Sequence, residues 1–353
     1  MTFHMTYHLM IDRFAGGSNK RRGICFKGGN LHALVERLSY IKSLGARGIM
    51  LTPFYESKGY HGYHIVDYDK VDPHFGDWDD VQALIEAAHS LELSVTADFV
   101  ANHCHATNSI VREHPNWFLR DVNKWHGFAG LGYLPMFDTD NQEVRNFLIE
   151  RMLKLCEFGF NSIRLDHATG PSYDFWQQAR KVIKEQYPNV KLIGEVWGEL
   201  NFKPRTKSYT DNVKKYSPQE ALQLEYVGVL DGVLDFEYHD ILCKAAHKAF
   251  KSSFFIPDLS QSVEEHFARY PKNFDLWLML DNHDLNRFLF ECGRNKKLLR
   301  EALQFTKDLN RPFLYYYGTE TGLYNKKNIF GGQPFSDEQV RKVMRWNKQI
   351  IHF

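Results

Sequence analysis

Phe158-Gly159-Phe160-Asn161-Ser162-Ile163-Arg164-Leu165-Asp166-His167-Ala168-Thr169-Gly170 contains a short apolar run that follows a glycine and closes at the Gly170-Pro171 pair. Its alternation predicts a strand with Phe160, Ser162, Arg164 and Asp166 on one face and Ile163 and Leu165 on the other. An arginine and an aspartate then stand as i, i+2 neighbours at the end of a buried strand. Burial raises a carboxyl pKa and an adjacent guanidinium lowers it, so the pair is a way to keep a buried aspartate ionised. A held, ionised carboxylate is what a nucleophile requires, but a structural ion pair has the same composition.

Outward from this run, strand and helix alternate along the whole chain. Strands are predicted at Tyr7–Ile11, Gly48–Leu51, Leu93–Ala97, Phe160–Leu165, Lys191–Gly194, Gly232–Phe236, Leu276–Leu280 and Pro312–Tyr317. Helical spacing covers Leu31–Leu44, Trp78–Leu91 (capped by Asp77), Gln142–Glu157, Tyr173–Gln186, Pro218–Tyr226, His239–Phe250, Gln261–Tyr270, Lys297–Leu309 and Glu338–Ile350. Only residues 104–140 break the rhythm. They hold Trp117, Phe118, Trp125 and Phe128 with several glycines and no clear period, which marks a small lobe inserted after the third strand. Eight cycles on one chain point to a closed (β/α)8 barrel in preference to an open sheet, with residues 1–353 as one catalytic unit and the lobe at about 104–140.

Composition narrows the function. Charged residues make up 25% and hydrophobic ones 43% of 353 residues, the balance of a soluble globular protein. The net charge of +1 and the lack of a basic tract argue against nucleic acid as a partner. No apolar run reaches the length needed to cross a bilayer, so no membrane association is expected. The N-terminus, Met1-Thr-Phe-His-Met-Thr-Tyr7, lacks an export signal, and the five scattered cysteines have no metal-type spacing. A cytoplasmic location with reduced thiols follows as the expectation. Aromatics at 15% suit a heavy core or a surface that stacks on flat ligands such as sugar rings.

Barrel function sits at the C-terminal ends of the strands. The polar residues gather there: Asn102 and His103 after strand three, Arg164 and Asp166 on strand four, Glu195 after strand five, His283 and Asp284 after strand seven. Carboxylates crowded at one mouth repel one another, which is tolerated where one stays protonated as a general acid while another stays ionised. A retaining glycosidase needs such a pair roughly 5–5.5 Å apart.

Four segments in order, DFVANH at 98–103, GFNSIRLDH at 159–167, GEVW at 194–197 and LDNHD at 280–284, give the chain its resemblance to the α-amylase family of retaining glycosidases. FKGGNL at 26–31, YIKSLGARGIMLTP at 40–53, YHGYHIVDY at 60–68 and YYGTETGL at 316–323 extend the likeness over nearly the whole chain. The resemblance implies Asp166 as nucleophile, Glu195 as general acid/base and Asp284 as the carboxylate that stabilises an oxocarbenium-like transition state. It implies that Arg164 orients Asp166, that His103 and His283 hydrogen-bond the sugar being cleaved, and that Tyr63 stacks beneath it. Trp197 is placed either to stack on the leaving-group sugar or to pack at the rim. Asp98 matches a family position that reads as a support.

Departures from the pattern carry further expectations. Many calcium-dependent relatives bind the ion through the asparagine matching Asn102 and an acid in the inserted lobe, where this chain has Met136 in Leu134-Pro-Met-Phe-Asp138. A thioether is a poor ligand for a hard cation. The loop Phe14–Asn19 also lacks the acids of the family's other calcium site, so no metal or other cofactor is expected, with Asn102 and Asp138 the residues that would hold calcium if any did. Thr169 replaces a lysine usual after the nucleophile, and Thr319 an aspartate common before Glu320. The C-terminal β-sandwich of the family is not expected here.

The expected activity is retaining hydrolysis of α-1,4-glucosidic bonds in maltooligosaccharides or α-glucans. Its rivals are a 4-α-glucanotransferase or isomerising enzyme of the same chemistry, and a non-catalytic relative that keeps the barrel as an interaction module. The three retained acids weigh against the last. Trp117, Trp125 and Phe128 are candidates to stack on sugar units at the cleft mouth, Trp117 being better suited to the lobe's own core. Oligomeric state is not legible.

Overall fold

A computed structural model describes residues 4–18, 23–121, 124–198, 207–249, 258–333 and 335–347. Eight parallel strands close into a barrel: β1 His4–Leu9, β2 Gly48–Leu51, β3 Ser94–Val100, β4 Ser162–Asp166, β5 Lys191–Gly194, β6 Gly232–Leu234, β7 Asp275–Met279 and β8 Pro312–Tyr316. β1 pairs with both β2 and β8, so no sheet edge remains. The flanking helices are α1 Leu31–Val35, α2 Leu38–Ser43, α3 Trp78–Ser90, α4 Gln142–Phe158, α5 Tyr173–Gln186, α6 Pro218–Leu224, α7 Phe236–Ala249, α8 Leu259–Ala268 and α9 Lys296–Asp308.

Strand alternation separates two apolar layers. Outward side chains such as Ile49, Val95, Ile163, Leu165, Leu276 and Leu278 join the large core beneath the helices. Inward ones, Met50, Ile193, Leu234, Trp277, Met279 and Leu314, form a smaller cluster inside the barrel. β3 and β4 instead point Asp98 and Arg164 inward, both fully buried, so the barrel interior is apolar on one side and charged on the other. Helix ends follow local chemistry. Asp77 and Asp80 form a capping box at α3, Ser172 caps α5, and Ser217 with Pro218 opens α6. Gly159, at φ 101°, ends α4 in the left-handed conformation and turns the chain toward β4.

Two predicted helices differ. The run over 31–44 is broken at Arg37, whose N–H bonds Leu34 O, while Leu34, Leu38 and Ile41 all stay in the core. The helix expected over 338–350 is a short 3-10 turn at Ser336–Gln339 followed by irregular chain to 347, with 348–350 outside the described residues. The carbonyls a helix would use are taken by side chains. Arg13 Nε bonds Arg341 O, Arg287 Nε bonds Val340 O, and Tyr317 Oη bonds Lys342 O.

The lobe between β3 and α4 contains a short helix at Ser109–Glu113, a hairpin of Arg120–Asp121 with Lys124–Trp125, and a 3-10 turn at Phe128–Gly130. No helix among the described residues is long and apolar enough to cross a membrane.

Candidate active site

Backbone register builds the site. β3 and β4 pair so that Asp98 lies beside Arg164 and Val100 beside Asp166; a slip of one residue would set Ala97 there and turn the charge out of the barrel. Past β5, Glu195 N–H bonds Leu165 O at 2.9 Å and Glu195 O accepts from Ala168 N–H at 3.0 Å, which fastens Glu195 on either side of Asp166.

One guanidinium then organises three acids and a phenol. Arg164 Nη1 lies 2.7 Å from both Asp98 carboxylate oxygens and 3.0 Å from Asp166 Oδ1, while Nη2 lies 2.5 Å from Glu195 Oε1. Tyr63 Oη donates to Asp98 Oδ2 at 2.8 Å and meets His283 Nε2 at 2.7 Å. The fourth acid, Asp284, has its own cations: Arg341 Nη2 at 2.6 Å and His283 Nε2 at 2.9 Å. Arg341 is held in turn by Asp337 at 2.6 Å and by the backbone carbonyl of His283 at 2.9 Å.

Asp166, Glu195 and Asp284 open onto a cavity of about 880 Å³, walled by Tyr63, His103, Phe128, His167, Trp197, Ile329, Phe330, residues 335–338 and Arg341. His167 carries φ 40°, a costly conformation for a non-glycine residue, and its N–H bonds Glu195 Oε2 at 3.0 Å. Gly170 is required nearby, because a Cβ there would sit 1.8 Å from Asn102 Oδ1.

Electrostatics divide the acids. Burial pushes Glu195 up; Arg164 pulls it down, Asp284 pushes it up again, and the net shift is upward. Burial also raises Asp166 well above the carboxylate range, against the pull of Arg164 and with the push of Glu195, Asp98 and Asp284. Arg164 thus acts in the expected direction but does not by itself keep Asp166 ionised. A proton on Glu195 removes one of the charges that raise Asp166, so the pair titrates together. For Asp284, burial is outweighed by His283, Arg341 and Arg164, which hold it well below the usual range. Burial keeps the imidazoles neutral, bringing His103 down to about 3 and His64 to about 4.

The structure brings together all eight residues singled out in the sequence, with differences of placement. His103 lines the cavity, but one face of its ring is stacked on Phe128 at 4.5 Å and 3°. His283 is 1% exposed and lies behind Tyr63 and Asp284, not on the cavity wall. Tyr63 is on the wall with its ring parallel to His283. Trp197 is on the wall with Phe236 stacked on it at 5.1 Å and 3°. Of the three lobe aromatics, Phe128 lines the cavity. Trp117 is 8% exposed and donates to Glu143, and Trp125 packs on Phe118, both away from the cavity. Arg341, His167 and the wall residues Ile329, Phe330 and 335–338 were not singled out. Arg341 lies 57 residues beyond Asp284, and no local pattern marks such a pair.

At the calcium position suggested by family likeness, Asn102 Nδ2 contacts His103 Nδ1, and Met136 is buried where its backbone bridges His103. Asp138 Oδ1 accepts from Asp140 N–H in its own turn. The amide oxygen of Asn102 could serve a hard cation, but the thioether of Met136, standing where relatives have an acid, does not fit one. Among the described residues, no three His, Cys, Asp or Glu side chains converge as a metal-holding group.

The family model for "Alpha amylase, catalytic domain" matches residues 8–129 and 117–350. Alpha-amylase 2 of Dictyoglomus thermophilum is 30% identical over 98% of this chain and 61% of its own length. A cyclomaltodextrinase of a Bacillus species is 27% identical over 97% of this chain and 62% of its own. An intracellular maltogenic amylase of Bacillus subtilis is 26% identical over 97% and 58%. The chain therefore spans under two thirds of the length of these curated relatives. Among solved structures, the Anoxybacillus α-amylase matches with a TM-score of 0.78 and 26% identity, over 98% of this chain and 75% of that one. A match running nearly end to end, on a barrel whose strand ends carry the motifs already described, makes this chain a member of the α-amylase family.

Proposed function

We propose that the chain is a retaining α-glucan hydrolase acting on α-1,4 bonds of maltooligosaccharides and cyclic dextrins. The observation that carries this reading is the single buried guanidinium of Arg164 contacting both Asp166 and Glu195, with Asp284 separately anchored at the same cavity. In this mechanism Glu195 protonates the glycosidic oxygen as Asp166 attacks the anomeric carbon, giving a glycosyl ester. Glu195 then takes the proton of the attacking water. With Glu195 protonated, Asp98, Asp166, Asp284 and Asp337 face Arg164 and Arg341, leaving surplus negative charge to stabilise the oxocarbenium-like transition state. Arg164 and Asp98 orient, Tyr63 stacks beneath the sugar, His103 bonds its hydroxyls, and His283, which lies behind the wall, acts by holding Tyr63 and Asp284 in place. We read residues 1–353 as one barrel unit with the lobe as a wall of the cleft, in an enzyme of the cytoplasm. Relatives named cyclomaltodextrinase, intracellular maltogenic amylase and neopullulanase support the substrate class and the location.

The test is a set of specificity constants for maltoheptaose, a cyclodextrin, soluble amylose and granular starch, measured together. Soluble oligosaccharides or rings should rank first. Preference for granular starch, or for an α-1,6-linked disaccharide such as isomaltose, would sink the proposal.

A further inference from the structure

His8 stands on β1 with its side chain fully buried, and its register neighbours are Met50 on β2 and Tyr316 on β8. Neither of its ring nitrogens has a hydrogen-bond partner among the described residues. A leucine or methionine would fill the same place without stranding two polar atoms, so the imidazole calls for a reason of its own. Burial, helped by nearby His283 and Arg164, holds its pKa well below the usual value. His8 is therefore a neutral ring, with one N–H to give and one nitrogen to accept.

The neighbour that needs such a donor is His283. The two rings meet edge to face, with centroids 5.1 Å apart at 83°. His283 Nε2 lies 2.7 Å from Tyr63 Oη and 2.9 Å from Asp284 Oδ2. Asp284 is held ionised and can only accept, and the Tyr63 proton is already given to Asp98. The hydrogen of His283 must then sit on Nε2, facing both oxygens. Burial keeps this imidazole neutral as well, so its Nδ1 is a bare acceptor. That Nδ1 is buried and has no partner among the described residues. An acceptor on one ring thus lies beside a donor on the next, and no direct bond joins them. Two polar atoms in this relation are what a buried water bridges, accepting from one and donating to the other.

We infer that His8 is a positioning residue of the active site: through one buried water it hydrogen-bonds His283 Nδ1, and so fixes the tautomer and ring plane in which Nε2–H grips Asp284 and Tyr63. The catalytic part of this inference rests on the retaining mechanism proposed above, in which Asp284 opposes the developing positive charge. The tautomer of a histidine is set by the bond that its other nitrogen makes. With the proton moved to Nδ1, a lone pair would face the Asp284 carboxylate and repel it. The loss should fall on the transition state more than on substrate binding, because the charge that Asp284 answers exists only there.

The first tests need no turnover. A crystal structure of the wild type at about 1.2 Å or better should show a water within hydrogen-bonding distance of a His8 nitrogen and of His283 Nδ1. Any other partner on Nδ1, or none, overturns the inference. Nitrogen-15 NMR of histidine-labelled protein, with His283 assigned through His283→Asn, should find Nε2 protonated and Nδ1 a bonded acceptor. In His8→Phe, which keeps a ring but no donor, the Nδ1 signal should move to that of a free acceptor or of a protonated nitrogen; an unmoved signal overturns the bridge. Kinetics on maltoheptaose then read the consequence. His8→Phe should lower kcat about tenfold to a hundredfold with KM little changed. One of His8→Asn and His8→Gln, which return a donor at the place of either ring nitrogen, should recover most of the loss. Unchanged kcat in His8→Phe, or equal loss in all three variants, overturns the positioning role. If His8→Phe does not fold, the crystal structure and the wild-type NMR spectrum still decide. If the wild type releases no sugar from any α-glucan, the hydrolase reading fails, while the water and the tautomer are still read directly.

Discussion

Two buried charge clusters in this barrel look alike in composition and differ in balance. At the mouth, Asp98, Asp166, Glu195 and Asp284 share two guanidiniums, Arg164 and Arg341, among imidazoles that burial keeps neutral. Outside β6, Glu220 and Asp235 enclose His266, each at 2.8 Å, and Arg269 pairs with Glu220. Burial alone would lower His266, but Asp235 and Glu220 outweigh it and push the imidazole up to about 10, so the second cluster holds two acids and two cations. Its acids and imidazole are buried, with Arg269 reaching the surface, and it is neutral overall, the arrangement of a structural network. The first opens on a cavity with acids in excess, and its carboxyl groups are driven apart in pKa. Surplus negative charge beside an opening, more than burial of charge as such, distinguishes a site prepared for a developing cation.

The largest expected effect is on turnover at the first cluster. Asp166→Asn should lower kcat/KM on maltoheptaose by about 10⁴-fold or more. Since it removes surplus charge with little change in volume, its melting temperature should equal or exceed that of the wild type. Near-normal activity would take Asp166 out of the mechanism. Glu220→Gln should do the reverse: about 3–5 kcal/mol of stability lost in urea melts, because it unbalances a buried pair, with kcat retained below the melting transition. If Glu220→Gln is neutral while Asp166→Asn unfolds the chain, the contrast between the clusters is wrong.

The pH dependence sharpens the same contrast. The folded-state pKa of His266 lies above its unfolded value of about 6.5, so its contribution is full below that pH and is lost as pH rises toward about 10. The stability gap between wild type and His266→Gln should therefore be a few kcal/mol at pH 6 and shrink steadily up to pH 10. A gap independent of pH would mean that His266 is not charged in the fold. Asp166 and Glu195 are shifted upward as carboxylic acids, so their ionisation above about pH 4 costs native stability, a slope that Asp166→Asn should reduce. The smallest expected effect is that of chelation. With Met136 beside Asn102, prolonged EDTA treatment should change neither melting temperature nor rate, and a clear fall in either would place a cation in the lobe.

Alternation and helical spacing in the sequence were enough to place all eight strands, because both are local periods written in neighbouring residues. They put Arg164 and Asp166 on one face, and caps such as Asp77 marked where helices begin. The exceptions are places where distant groups overrule a local period. The helix expected from residue 338 is undone by Arg13, Arg287 and Tyr317, which take its carbonyls from across the barrel. Only the register between β3 and β4 set Asp98 against Arg164, and only closure of the barrel brought Arg341 to Asp284, Phe128 onto His103 and Phe330 up to Trp197. The sequence by itself determined which residue types stand at the strand ends. How much charge is left unpaired there was decided by the tertiary structure, since the balance is a sum over groups that share no local pattern and meet only when the barrel closes.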